Sequence, residues 1–509
     1  MLRAYLLPAG LACLLSTALA PAAVHADGPA PASPPPAVPA PAMPAPEAGP
    51  EAAWKALQQR MADPAQRRGN ALQESATAWL AGWQALGRAA SAAEQFWLGS
   101  LLQAARRADE ARAAFEQAAG AEGLEAALRV QAAVAWGSLV RSKVREGAFT
   151  VEQAKAALAR LGAWVEAAAA APAAQRGLLL QARATLQAHA GDAGAAVQSL
   201  LEAAEADAGS AVPAATEIVR VLVESVRGLE QLPGVRAQAT QGLARLAAVQ
   251  QRSLDEAQSA VQAAQGLEAR TQAASRLVQA QGGLEAIESA RLPLDLLGEA
   301  AAPWTVVKAY GAGQQPSDWR GKVVVLDFWA TWCHWCIRSF PALRDLQQDY
   351  RGKDLVVVGV TASGGSVYEQ RYDLDDDLNA KAGAPVAPVA RRPVRPVPPQ
   401  AGAPEAEVAR HAERMAAYEQ ELAAYRAREQ EVIATFIANH GMDWPVVLVD
   451  EREPAAKYAL RGWPHCVVID RQGRIRHFKS GALLREKPEA LAAFRAVLDR
   501  LLAEPALTR

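Results

Sequence analysis

Apolar residues change their spacing several times along this chain, and each spacing predicts a different element. A mostly continuous apolar run opens at Ala4-Tyr5 and extends to about Ala20 behind the basic Arg3. That is the length and polarity of a secretory leader, and no other stretch has the length of a membrane span. From Glu51 to Ala290 alanine, leucine, glutamine and glutamate recur with helical spacing, interrupted at glycines and prolines. This predicts a stack of antiparallel helices. From Leu292 onward the apolar residues gather into short β-branched runs. Strands are expected at Pro303–Val307, Val323–Phe328, Leu355–Thr361, Val446–Val449, Cys466–Ile469 and Arg474–Phe478, with helices at Cys333–Tyr350 and Pro488–Leu502. Such alternation makes an α/β layer around a mixed sheet.

A second helical pattern interrupts that layer between 364 and 440. Val408, His411, Met415, Tyr418, Leu422, Tyr425, Glu429, Val432 and Phe436 recur in steps of three and four. They predict one amphipathic helix of roughly 50 Å. It is either a coiled-coil partner or, in its C-terminal half, an ordinary helix of the α/β layer, and His411 and Glu429 on the seam favour the second. Before it lie an acidic cluster, Asp373 to Asp377, and a tract from Lys381 to Pro404 with seven prolines. The cluster lacks the loop pattern of an EF-hand and reads as a solvated turn, and the tract as a disordered or polyproline loop.

Composition adds a processing step and removes one class of partner. Val24-His25-Ala26 offers a cleavage site before Asp27, so residues 1–26 are expected to be a signal peptide and the mature chain to be exported and soluble, in the periplasm or beyond. Residues 27–50 are almost all proline and alanine and read as an extended linker. The net charge of −1 leaves no electrostatic footprint for nucleic acid. Within 51–290, Leu98-Gly99, Leu102, Ala111, Phe115 and Ala118 stand at the spacing of a tetratricopeptide repeat, and a fainter copy runs through Ala184, Gly191, Ala196, Leu200 and Ala203. These resemble repeat positions where small residues let paired helices approach; the other reading is a generic helical domain or coiled-coil stalk from about Gly242.

The candidate chemistry is concentrated in Val323–Cys336, which reads VVVLDFWATWCHWC. A buried strand there delivers two cysteines, two residues apart, to the start of a helix. Unpaired backbone N–H groups and the positive end of the macrodipole at that point favour a thiolate. Zinc sites share the spacing, yet they need four ligands, and no second pair exists: besides Cys13 in the leader the chain has only Cys466. Thiol exchange is the expected chemistry, with no metal and no cofactor.

Residues 292–363 and 441–502 resemble the TlpA/ResA-like group of exported thiol–disulfide oxidoreductases. The resemblance rests on Gly321 through Cys333, on Pro341 five residues past Cys336, and on Tyr458, Gly462-Trp463-Pro464 and Val467-Val468-Ile469-Asp470 with Gly473. It implies a thioredoxin-fold α/β domain, 291–509, which carries the insertion 364–440 and follows the all-helical N-terminal domain, 51–290, that the residue spacing predicts. It further implies that Cys333 is the nucleophile, that Cys336 resolves the mixed disulfide, and that Pro464 is a cis-proline facing them. Asp327 resembles the buried acid beneath the pair, either accepting the Cys336 proton or only hydrogen-bonded in the core. Trp332, His334, Trp335, Trp463 and Pro464 are the expected substrate-contacting residues, with His334 either stabilising the thiolate as imidazolium or facing solvent. Trp335 replaces the usual proline and Ser339 a frequent glutamate, which leaves the direction of electron flow open, with reduction preferred. Cys466 reads as a buried strand cysteine, or as a third thiol if it faces the pair. The implied partners are protein disulfides, a membrane thiol electron donor and a protein bound by the helical domain. The competing reading is an interaction scaffold whose thioredoxin-like domain serves as a docking module.

Overall fold

The computed structural model describes residues 42–62, 70–313, 315–364, 366–368, 390–400, 403–450 and 453–505. Residues 1–26, expected to be a signal peptide, and the acidic cluster 373–377 lie outside them. Two compact units are present, one of residues up to 221 with 241–288, the other of 222–240 with 289 onward.

Helices α1 (Pro50–Ala62), α2 (Ala71–Ala85), α3 (Ala92–Ala104), α4 (Ala108–Gly120), α5 (Ala126–Arg145), α6 (Val151–Ala167), α7 (Ala173–His189), α8 (Ala193–Ala206), α9 (Ala211–Ser225), α10 (Leu232–Ala263) and α11 (Leu267–Ser289) follow one another without a strand. Their starts are chemically marked. Ser91 and Glu94 form a reciprocal capping box at α3, Thr150 and Gln153 another at α6, and the Asp192 side chain accepts from the Ala195 N–H at α8, satisfying amides that have no partner inside the helix. Alanine and glycine at the contacts let these helices lie close. A Cβ at Gly99 would stand 2.7 Å from the Phe115 ring, so α3 and α4 meet through that pair. Replacing Gly99 with alanine is expected to cost about 1–3 kcal/mol through overpacking, read as a lower urea midpoint for the helical unit. The turn between α7 and α8 passes through Gly191 at φ 93°, a left-handed conformation that favours glycine.

Two boundaries differ from the sequence expectation. The Pro/Ala segment was expected to run to residue 50, but the folded unit already includes residue 42: the Trp79 indole donates to the Pro44 carbonyl at 2.9 Å and the Pro46 ring packs over Gly82. Proline there is packing surface, not spacer. Residues 222–240 belong with the C-terminal unit, because the Arg236 guanidinium donates to the Leu294, Asp295 and Leu297 carbonyls at 3.1, 3.1 and 2.9 Å. Composition cannot reveal such an assignment, since 222–240 is as helical as its surroundings.

The C-terminal unit continues with α12 (Leu292–Leu296), β1 (Val306–Tyr310), β2 (Val323–Phe328), α13 (His334–Asp349), β3 (Leu355–Ala362), β4 (Ser366–Val367), β5 (Ala390–Arg391), α14 (Glu405–Asn439), β6 (Val446–Val449), α15 (Glu453–Tyr458), β7 (His465–Ile469), β8 (Ile475–Ser480) and α16 (Pro488–Ala503). Six strands form one sheet in the order β1-β6-β3-β2-β7-β8, with β6, β3 and β2 parallel and the others antiparallel. The crossovers β2–α13–β3 and β3–α14–β6 step in the same direction across the sheet, so right-handed connections put both helices on one face. There Phe340 and Leu343 of α13, Phe436 of α14 and Leu498 of α16 pack with Val325, Val357, Val446 and Val468 in one core.

The first strand begins at Val306, not Pro303, because side chains satisfy the backbone just before it: Trp304 N–H donates to the Gln315 amide oxygen at 3.1 Å, and Thr305 bonds Glu453. Likewise the last strand runs Ile475–Ser480 in place of Arg474–Phe478. The proline tract is not wholly irregular, since Ala390-Arg391 pairs antiparallel with Val367-Ser366. The seam is one helix of 35 residues, α14. Ile433 and Phe436 enter the sheet core, Tyr418, Leu422, Tyr425 and Val432 form a cluster with Ala390 and Met415, and Val408 is 48% exposed. From Tyr418 onward the seam is therefore covered within its own unit, and its N-terminal end is not. Among the described residues no helix is long and apolar enough to cross a membrane.

Candidate active site

Every residue of β2 is buried, and Asp327 is the one polar side chain in it. Past Phe328 the chain keeps one more sheet bond, Trp329 N–H to the Val360 carbonyl at 2.9 Å, and then turns through Ala330-Thr331-Trp332 into α13. Cys333 is the N-cap of that helix, with the Cys336 N–H donating to its Sγ at 3.2 Å. The two cysteines are joined by a disulfide. Cys333 retains 5% exposure and Cys336 none, an asymmetry that gives incoming reactants access to the first sulfur only. On reduction a Cys333 thiolate would accept from the helix's first free amides, which lowers the free energy of the charged form.

The second wall is the loop before β7. The Trp463–Pro464 peptide bond is cis, and the Trp463 ring meets Trp332 edge-on with centroids 6.0 Å apart. The resemblance implied this cis-proline and its place beside the dithiol, and the geometry agrees. The Pro464 carbonyl is already engaged by the Gly481 N–H at 3.0 Å, whereas Trp463 makes no backbone–backbone hydrogen bond among the described residues. The main chain on offer to an extended partner therefore belongs to Trp463. Trp335 is 41% exposed on the first turn of α13, flanked by the His334 ring at 5.5 Å and the Arg338 guanidinium at 5.0 Å, and Arg338 also pairs with Glu486. His334 itself is half-buried.

Asp327 has 1% exposure, and burial pushes its carboxyl up to about 7, against a smaller lowering by a hydrogen bond from Cys466. Cys466 is its register partner on β7, free and buried, with the thiol donating to Asp327 Oδ1 at 3.8 Å. The open reading of Cys466 thus resolves to a buried strand cysteine whose side chain meets the acid. The raised carboxyl pKa has a consequence for stability. Below about pH 4 the group is protonated folded or unfolded, and the neutral form's advantage is complete. As pH rises to about 7 the unfolded chain ionises first, so up to about 4 kcal/mol of stability is lost across that window. Asp327→Asn should remove this slope and leave the C-terminal unit more stable than wild type at pH 8, measured by urea unfolding at pH 5 and pH 8.

Three supporting residues gain their roles only from the structure. Ser339 Oγ donates to the Trp335 carbonyl at 3.0 Å and accepts the Leu483 N–H at 3.1 Å, so the residue standing where relatives often carry glutamate fastens α13 to the loop after β8. Thr331 Oγ1 accepts the Tyr368 N–H at 3.2 Å, which ties the start of the insertion to the loop before Cys333. Glu429, buried on α14, accepts from Ser363 Oγ, the Gly364 N–H and Tyr425 OH at 2.6, 2.9 and 2.6 Å, and holds the end of β3. The one sequence cue to Glu429 is a carboxylate four residues after a tyrosine on an otherwise apolar seam.

A strand that delivers CxxC to a helix N-terminus, opposite a cis-proline loop on this mixed sheet, defines a thioredoxin-like redox domain. Residues 297–375 match the AhpC/TSA family model. Among curated proteins, a 64-residue stretch is 38% identical to the thiol-disulfide oxidoreductase ResA of Oceanobacillus iheyensis, covering 13% of this chain and 33% of that protein. A 74-residue stretch is 35% identical to the thioredoxin-like protein YneN of Bacillus subtilis, covering 14% and 43%. The chain thus spans less than half the length of these curated relatives. Among solved structures, a thiol-disulfide isomerase from Corynebacterium glutamicum aligns at 19% identity and a TM-score of 0.25, over 41% of this chain and 98% of that one.

Proposed function

We propose that this protein is an exported thiol–disulfide oxidoreductase that reduces disulfides in protein substrates. The observation that carries the reading is Cys333 at the N-cap of α13, facing a cis-proline loop through the Trp332–Trp463 contact. In the reduced protein the Cys333 thiolate attacks a substrate disulfide, releases one substrate thiolate and forms a mixed disulfide. Cys336 loses its proton to Asp327 and attacks Cys333 Sγ, which releases the second substrate thiolate and leaves the Cys333–Cys336 disulfide. Two electrons pass to the substrate, and a membrane thiol donor restores the dithiol. Trp463 lends backbone to an extended substrate segment, and Trp332, His334 and Trp335 line its path.

Export rests on the leader of residues 1–26. The helical unit, read as a tetratricopeptide-like array, would recruit a partner protein. The reduction potential of the dithiol tests the direction: a value more negative than about −230 mV supports a reductant, and one near about −120 mV overturns it.

A further inference from the structure

We infer that Cys466 is a positioning residue for Asp327: its thiol occupies Oδ1 from across the β7–β2 pair and leaves Oδ2 as the oxygen that takes the proton from Cys336. The inference deepens the thiol-exchange reading and rests on it for the role of that proton. Its basis is geometric. Asp327 and Cys466 face one another in register, at 1% and 2% exposure, and Sγ lies 3.8 Å from Oδ1. Oδ2 has no hydrogen-bond partner among the described residues. The register partner on the other side is Gly359 of β3, which brings no side chain, and the Trp329 indole N–H lies over Gly359, 2.9 Å from where a Cβ would stand. Among the described residues Cys466 is thus the one side chain that bonds this carboxyl.

The ionisable groups around this pair are few. Cys333 and Cys336 share a buried cluster with Cys466, Lys479 of β8 stands beyond Cys466 as its register partner, and His477 of β8 lies against Phe494 of α16. His440, the C-cap of α14, is stacked behind Phe436. Among the described residues none of these groups hydrogen-bonds Asp327. Burial and the neighbouring carboxylate push the Cys466 thiol well up, so it stays protonated and remains a donor.

The choice of a thiol has a chemical logic. An S–H is a weak donor, so it orients the carboxyl without holding it ionised; a hydroxyl would favour the carboxylate more strongly, and a methyl would leave both oxygens unbonded. The two small replacements leave similar space, so a role in packing alone would move them together.

The test is the titration of the Asp327 carboxyl, followed by carbon-13 NMR in the oxidised full chain, in wild type, Cys466→Ala and Cys466→Ser. Cys466→Ala is expected to raise the midpoint by about half to one pH unit, the scale of one hydrogen bond to the charged form, and Cys466→Ser to hold it at or below wild type. In the reduced proteins, the pH profile for release of a mixed disulfide should move by the same amounts. An unchanged midpoint in Cys466→Ala, or a Ser variant that follows Ala, would overturn the inference. Should either variant fail to fold, the wild-type S–H stretching band decides: a frequency change with the midpoint of Asp327 supports the pairing, and a band indifferent to pH refutes it. Wild-type protein that reduces no disulfide substrate would instead sink the exchange reading, and the carboxyl titration would still report on the pair.

Discussion

Cys336→Ala is expected to accumulate covalent adducts through Cys333 that disappear on treatment with dithiothreitol. Cys333 is the sulfur with residual exposure, at the helix N-cap, and Cys336 is fully buried behind it. Without Cys336 the first exchange still forms a mixed disulfide, but the intramolecular attack that resolves it is gone. That attack owes its speed to two thiols held on one helical turn, an effective concentration no free thiol in solution matches. Cys333→Ser should in turn lower turnover of a disulfide reporter to the uncatalysed rate. Non-reducing electrophoresis of the full chain reads the first result. A clean lane for Cys336→Ala, or turnover in Cys333→Ser, would contradict the assignment of the two roles.

The second large effect is structural and falls in the insertion. Phe436→Ala should cost the C-terminal unit about 3–5 kcal/mol, read as a lower urea midpoint for that unit's transition. Phe436 has no exposure and stacks on Trp329 at 5.1 Å and on His440 at 4.0 Å, with Phe340 edge-on at 6.3 Å. Trp329 begins the turn that leads to Cys333, so slower substrate reduction should accompany the loss. Val408→Ser, near the other end of the same helix, removes a side chain that is 48% exposed. It should change stability by no more than about 0.5 kcal/mol. Equal effects at the two ends would mean that α14 packs differently from the arrangement described.

Much of the redox domain was legible because its signals are local. The β-branched run of β2, the CxxC spacing, the apolar strands and the turn at Gly473 each depend on neighbours a few residues away, and the strands were found within one to three residues of their observed ends. In the helical unit the small residue at Gly99 lies against Phe115, where α3 meets α4. The errors came where a side chain from far along the chain satisfies a backbone group. Gln315 and Glu453 delay β1, Trp79 draws Pro44 into the helical unit, and Arg236 attaches its helix to the carbonyls after residue 293.

The sharpest contrast is within the dithiol stretch and its surroundings. Which residues are candidates for the chemistry was written in the order of amino acids, since two cysteines and a helix start occupy only the four consecutive positions Cys333 to Cys336, a short turn after a strand. What surrounds them was not. The facing of Asp327 and Cys466 depends on strand register, and a shift of one residue would turn Cys466 to the opposite face. The buried Glu429, the tie from Ser339 to Leu483 and the Thr331–Tyr368 bond join residues 37 to 144 positions apart. Periodicity records which side of an element is apolar but not which distant element will cover it, so those contacts became fixed only when the sheet and its three covering helices closed around the acid.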